Sequence, residues 1–308
     1  MRPSLLPYLW MLLGALAFAV MAFLTADLRD DFDWQWIAIA RSGLAMVFAA
    51  ILVVVGGAKF VFLRPQTLWM RSLAGSVSLV CGFYAMTHYD VSVVLTLTNM
   101  YPLWVAILSW PLLGHVPSSD TWIAAAIGVV GVTLLSASAA AGNPGAAVSH
   151  NGMTAVIAIA ASLVSAFTSA IALIGLHRLK EIDSRAIVTH FSLVSLLACL
   201  AALFVFADEM PHSQMHAGPM AGLLGVGLFA TAGQLFLTKA FSTGIPARVS
   251  VVGLTQVGFA MLLEMIFHGR TFAPLTLVGM ALIVAPTAWV LGRGQAESSE
   301  KETGDVTI

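Results

Sequence analysis

The segment AMTHYDVSVVLTLTNMYPLWVAILSWPLLGH, residues 85–115, decides the fold. It lies without a gap on AFSTGIPARVSVVGLTQVGFAMLLEMIFHGR, residues 240–270, at an offset of 155. Identities are few, and what matches is the pattern. Each copy is a short-looped helix pair that ends in an apolar run, a Gly and a basic or imidazole residue. Each is followed by a further Gly- and Ala-rich helix. Weak internal symmetry of this kind marks duplicated transporters.

Composition says which solvent the chain is built for. Of 308 residues, 59% are hydrophobic and only 9% are charged. A soluble chain carries about 25% charged residues, so the bilayer is the expected solvent. The net charge of −1 gives no reason to expect a nucleic-acid partner. Cys81 and Cys199 fall in apolar runs and read as small apolar fillers. The first apolar run, near residues 5–26, exceeds the ~7–15 residues of a secretory signal core, so it reads as a transmembrane helix.

About 20 apolar residues span the hydrocarbon core. That ruler predicts ten helices, near 5–26, 35–56, 68–88, 91–113, 120–139, 152–175, 185–206, 219–240, 246–268 and 273–292. They divide into a first five-helix unit (1–139), a linker (140–151) and a second five-helix unit (152–293). The polar tail, 294–308, reads as disordered and cytoplasmic. Five is odd, so the second unit enters the membrane from the opposite side, which makes the pair an inverted repeat. With the N-terminus inside, eleven Lys and Arg residues fall in inner loops, Arg29 and Arg270 fall outside, and Arg41 stays in the membrane. The positive-inside rule therefore places both termini in the cytoplasm and the protein in the plasma membrane.

On these motifs the chain resembles an EamA-type member of the drug/metabolite transporter superfamily, over nearly all of residues 5–292. The best-matching parts are RSLAGSVSLVCGFYAMTHYDVSVVLTLTNMYPLWVAILSWPLLG and GQLFLTKAFSTGIPARVSVVGLTQVGFAMLLEMIFHG. The resemblance implies an all-α membrane protein of ten transmembrane helices, two five-helix inverted repeats around a central cavity, and alternating access. The family often has Gly-Glu after the fourth and ninth helices. This chain has Gly114-His115 and Gly269-Arg270 there, so no role of that glutamate is carried over.

The candidate site residues are polar groups at mid-depth. TNMYPLW carries Asn99, Tyr101 and Pro102, and VGLTQVGF carries Thr255 and Gln256. Both spots lie ~15 Å into their helices. Interrupted helices at matching positions point to a transporter's binding site; the same groups also serve as hydrogen bonds between helices. Arg41 and Glu264 fall at similar depth. They face the central cavity near its outer mouth and either pair or bracket a polar substrate; the alternative is that Arg41 snorkels toward the acidic loop DLRDDFD, residues 27–33, while Glu264 is near enough to the surface to be wet. Tyr84 and Gln234 are further cavity candidates. Glu264 and His190 are the proton-coupling candidates, although a hydrogen-bonded packing role fits His190 as well. His212 and His216 stand four apart near Asp208 and Glu209, but Pro211 argues against a helix there. No metal site and no cofactor is expected. Trp34, Trp36, Trp69, Trp122 and Tyr89 read as interfacial anchors.

There is no phosphate-binding loop and no nucleophile–base constellation. The expected function is therefore a secondary transporter of a small polar or amphipathic metabolite: amino-acid-like, nucleoside-like or a drug. A lipid-modifying enzyme and a channel are the alternatives. The expected partners are the small-molecule substrate and the lipid bilayer, with a homodimer as the assembly allowed for.

Overall fold

A computed structural model describes residues 5–28, 31–89, 91–114, 116–141, 152–206, 217–269, 274–275, 277–286 and 289. Most of the linker and the whole tail lie outside the described residues, as do His212 and His216 and parts of the last predicted helix. Among the described residues the regular structure is helical apart from a single-residue bridge at Phe32. In chain order the helices are α1 (Leu6–Asp27), α2 (Trp34–Val55), α3 (Gln66–His88), α4 (Val91–Thr98), α5 (Tyr101–Leu113), α6 (Ser119–Ala141), α7 (Gly152–His177), α8 (Ser184–Phe206), α9 (Ala217–Thr243), α10 (Pro246–Gly253) and α11 (Thr255–His268). A twelfth, α12 (Leu277–Pro286), follows.

Six spans are long and apolar enough to cross a membrane: Leu6–Asp27, Trp34–Val55, Met153–His177, Ser184–Phe204, Gly218–Thr243 and Pro246–His268. Their outward faces carry large apolar side chains, such as Val55, Val156, Leu197 and Phe204, the last 85% exposed. Contiguous apolar surface on that scale belongs against lipid. α3 is equally long but more polar. Its serines make a seam with α7 and α8: Ser72 Oγ to His190 Nδ1 at 2.8 Å, Ser76 to Ser195 at 2.9 Å and Ser78 to Ser165 at 3.1 Å. Hydrogen bonds between small hydroxyl residues hold helices together where burial of apolar surface gives no advantage over lipid.

The packing is paired. α3 lies mainly on α7 and α1 mainly on α9, while α2 packs on α8. Small residues allow these close crossings. A Cβ on Gly14 of α1 would stand 3.4 Å from the Leu237 nitrogen of α9, and one on Gly82 of α3 would stand 3.3 Å from Ser165 Oγ of α7. The largest core cluster gathers Tyr8 and Met11 of α1, Leu68 of α3, Leu176 of α7, Ile187 of α8, Phe241 of α9 and Val249 of α10. It closes the end of the bundle where α1 and α3 begin. At the opposite end Asp27 meets His268 at 3.4 Å, and Phe23 packs on both Phe267 and His268.

The expected fourth and ninth helices are each broken. α4 and α5 are separated at Asn99–Met100; α10 and α11 are separated at Leu254. Adding 155 to the bounds of α4 gives those of α10. α5 and α11 end on Gly114 and Gly269, also 155 apart, both in the left-handed conformation at φ 69° and 63°. That conformation favours glycine, which explains the Gly at the end of each aligned segment.

Candidate functional site

The breaks expose backbone groups that the helices no longer satisfy. In α10–α11 the Leu254 N–H turns to the Val251 carbonyl at 3.1 Å, leaving the Ser250 carbonyl without its usual donor. Tyr101 fills the vacancy: its hydroxyl donates to Ser250 O at 3.1 Å. The first half-helix pair is thereby fastened to the second. Gly253 makes room for this contact, since a Cβ there would fall 2.2 Å from Tyr101 Oη and 2.8 Å from Met11 Cε. In α4–α5 the Met100 N–H turns back to Leu97 O at 3.2 Å. Asn99 Nδ2 donates to Leu95 O at 2.8 Å, and Thr98 Oγ1 donates to Val94 O at 2.8 Å. Thr255 Oγ1 donates to Val252 O at 2.7 Å. Irregular backbone at membrane depth is tolerated where side chains satisfy it or where it lines a cavity.

The structure thus brings Tyr101, Thr255 and the second break together. Asn99 and Gln256 are half-buried near the breaks, and Asn99 spends its amide on its own helix. Tyr84, also half-buried, stacks on His88 with ring centroids 4.1 Å apart. Glu264 is half-buried toward the far end of α11. His190 is 1% exposed, paired with Ser72 and met edge-on by Trp69 at 4.7 Å. Trp69 therefore packs on a core histidine, as well as standing at a helix end.

Arg41 lies half-buried on α2, and its Nε–H points at Met21 Sδ, 3.3 Å away. Thioether sulfur is a weak acceptor. Sequence reasoning counted Arg71 among the inner loop cations, because it falls near a predicted helix start. The structure corrects that. Arg71 is in the second turn of α3 and only 3% exposed. Its Nη2 donates to Gln234 Oε1 of α9 at 3.0 Å, and its guanidinium sits 4.1 Å above the Phe191 ring of α8. Its Nε is buried without a hydrogen-bond partner. One signal for Arg71 was available in the sequence. It is followed by a run of small residues, Ser72, Ala74, Gly75 and Ser76, which marks a face packed inward.

The EamA-like transporter family matches residues 5–137 and again residues 153–292. The chain belongs to that family. Among similar proteins is the pseudopaline exporter CntI of Pseudomonas aeruginosa (strain UCBPP-PA14), 25% identical over 274 residues, covering 88% of this chain and 91% of that one. An uncharacterized transporter of Helicobacter pylori (strain J99) is 25% identical over 226 residues, 71% of each chain. A solved crystal structure superposes with a TM-score of 0.78 at 15% identity, covering 92% of this chain and 95% of its own, which speaks to the fold alone. Family membership and the apolar helices make this an integral membrane transporter.

Proposed function

We propose that the protein is a secondary transporter of a small polar or amphipathic metabolite, working by alternating access between two inverted five-helix repeats. The observation that carries this reading is the pair of helix breaks at one register, 155 residues apart, joined by Tyr101 and Ser250. Paired interruptions in corresponding halves are where duplicated transporters bind cargo. Two matches to one family support the duplication. So does the packing, in which α3 lies on α7 as α1 lies on α9, with α2 and α8 meeting at the centre. In this reading α4 and α5 form one crossing, α10 and α11 another, and the total is ten. The core cluster closes the cytoplasmic end, and the half-buried stretches 95–100 and 256–264 line the cavity above it. The relative whose name gives a cargo is an exporter, and export is the direction proposed here.

A thermal-shift screen of the purified protein against metabolites tests the site. A true cargo raises the melting temperature, and Gln256→Ala or Asn99→Ala removes that gain. Full stabilisation in both variants places the site elsewhere.

A further inference from the structure

Arg71 and Arg41 both lie within the membrane-spanning part of the bundle. Arg41 lies ~10 Å along α2 and Arg71 ~8 Å along α3. Among the described residues their partners are Met21 for Arg41, and Gln234 with the Phe191 ring for Arg71. A guanidinium at membrane depth loses hydration, so retaining its charge calls for an anion to offset it.

We infer that Arg71, enclosed by α3, α8 and α9, binds the carboxylate of a cargo whose remainder meets the helix breaks of the transporter proposed above, so that the transporter selects a carboxylate-bearing solute. Arg71 is the anchor. Gln234 fixes one Nη2 proton, Phe191 covers one face of the guanidinium, and Gly75 lies against Nη1, where a Cβ would stand at 2.4 Å. Nε–H is buried and, among the described residues, has no hydrogen-bond partner; it shares one edge of the guanidinium with Nη2. Two parallel N–H donors in one plane match the two oxygens of a carboxylate. Arg41, whose Nε–H meets the Met21 sulfur, is in this inference the contact for a second carboxylate of the same solute. A site of this kind rejects the uncharged amide of the same shape, because the amide leaves both guanidiniums uncompensated.

The test uses the full chain, purified in detergent and reconstituted in liposomes. Binding is read as thermal stabilisation by a panel of mono-, di- and tricarboxylates, each beside its amide, with inorganic phosphate as a comparison. Carboxylates are expected to bind at least tenfold tighter than their amides on the unaltered protein, a comparison that needs no variant. Arg71→Gln removes this preference, and Arg71→Lys, which keeps the charge but loses the planar edge, restores part of it. Arg41→Gln weakens dicarboxylates more than monocarboxylates. The inference falls if no carboxylate outperforms its amide, if phosphate outperforms every carboxylate, or if a folded Arg71→Gln keeps the preference. Counterflow in the liposomes separates the two readings. Exchange of neutral or cationic solutes with no response to carboxylates overturns the anion site and leaves the transporter standing. Carboxylate binding without exchange of any solute overturns the transporter and leaves the anion site.

Discussion

Arg41 and Arg71 show how differently two arginines can be read. Arg41 stands in a continuous apolar run, so its presence at depth is visible from the sequence. Arg71 follows a loop containing Arg64 and Pro65, and the same loop logic hides it. Depth along a helix is arithmetic; burial depends on which neighbours cover the side chain. Here they are Phe191 and Gln234, more than 100 residues away. Tyr101 was singled out as a polar group at mid-depth in the fourth predicted helix, and its partner, a backbone carbonyl, carries no sequence signature. Tyr101→Phe leaves Ser250 O without that donor while keeping the ring. The expected cost is about 1 kcal/mol, read as a lowered thermal midpoint in detergent. An unchanged midpoint would mean that another donor replaces it.

At the scale of elements, the ends of the helices follow local rules. Gly114 and Gly269 stop α5 and α11 in the left-handed conformation. α8 begins with a side-chain cap: Asp183 Oδ1 accepts the Arg185 backbone N–H at 2.8 Å and its Nε–H at 2.9 Å, and Oδ2 accepts Nη2 at 2.7 Å. Hydrogen bonding from Arg185 holds the Asp183 carboxyl below its ordinary range. A lowered carboxylate pKa stabilises the fold above the unfolded value, near 3.9, and that gain is lost as pH falls through the folded value. Asp183→Asn should therefore lower stability by an amount that is constant from about pH 5 to 8 and shrinks below about pH 4. A difference that grows on acidification would contradict the cap. Breaks within helices are less local. Pro102 lacks an N–H and accounts for the first, but no proline stands in the second. There Gly253 permits a close approach that only the folded partner reveals.

For the whole molecule, orientation is the property that sequence argues best and contacts argue least. The count of ten inner cations against two outer ones, once buried Arg71 is set aside, rests on where loops fall, a matter of hydropathy. It makes a direct prediction. With Cys81 and Cys199 replaced by Ser, Lys180→Cys should react with a membrane-impermeant maleimide only after cells are permeabilised. Gly218→Cys, exposed at the start of α9, should react in intact cells. The reverse pattern would invert the proposed topology and, with it, the assignment of the closed core end to the cytoplasm.

The sequence by itself determined the solvent, the run of apolar spans, the 155-residue correspondence and the family resemblance. These follow from hydropathy and spacing, which are written along the chain. Only the tertiary structure decided which polar groups meet. It joined Tyr101 to Ser250, buried His190 against Ser72, and set Arg71 over Phe191 with its Nε buried and, among the described residues, unpartnered. Those pairings connect helices far apart in sequence, and small residues such as Gly14 and Gly82 set how closely the helices approach. In a bilayer, where lipid is as apolar as the helix faces, such close contacts and the few polar groups between them fix the arrangement.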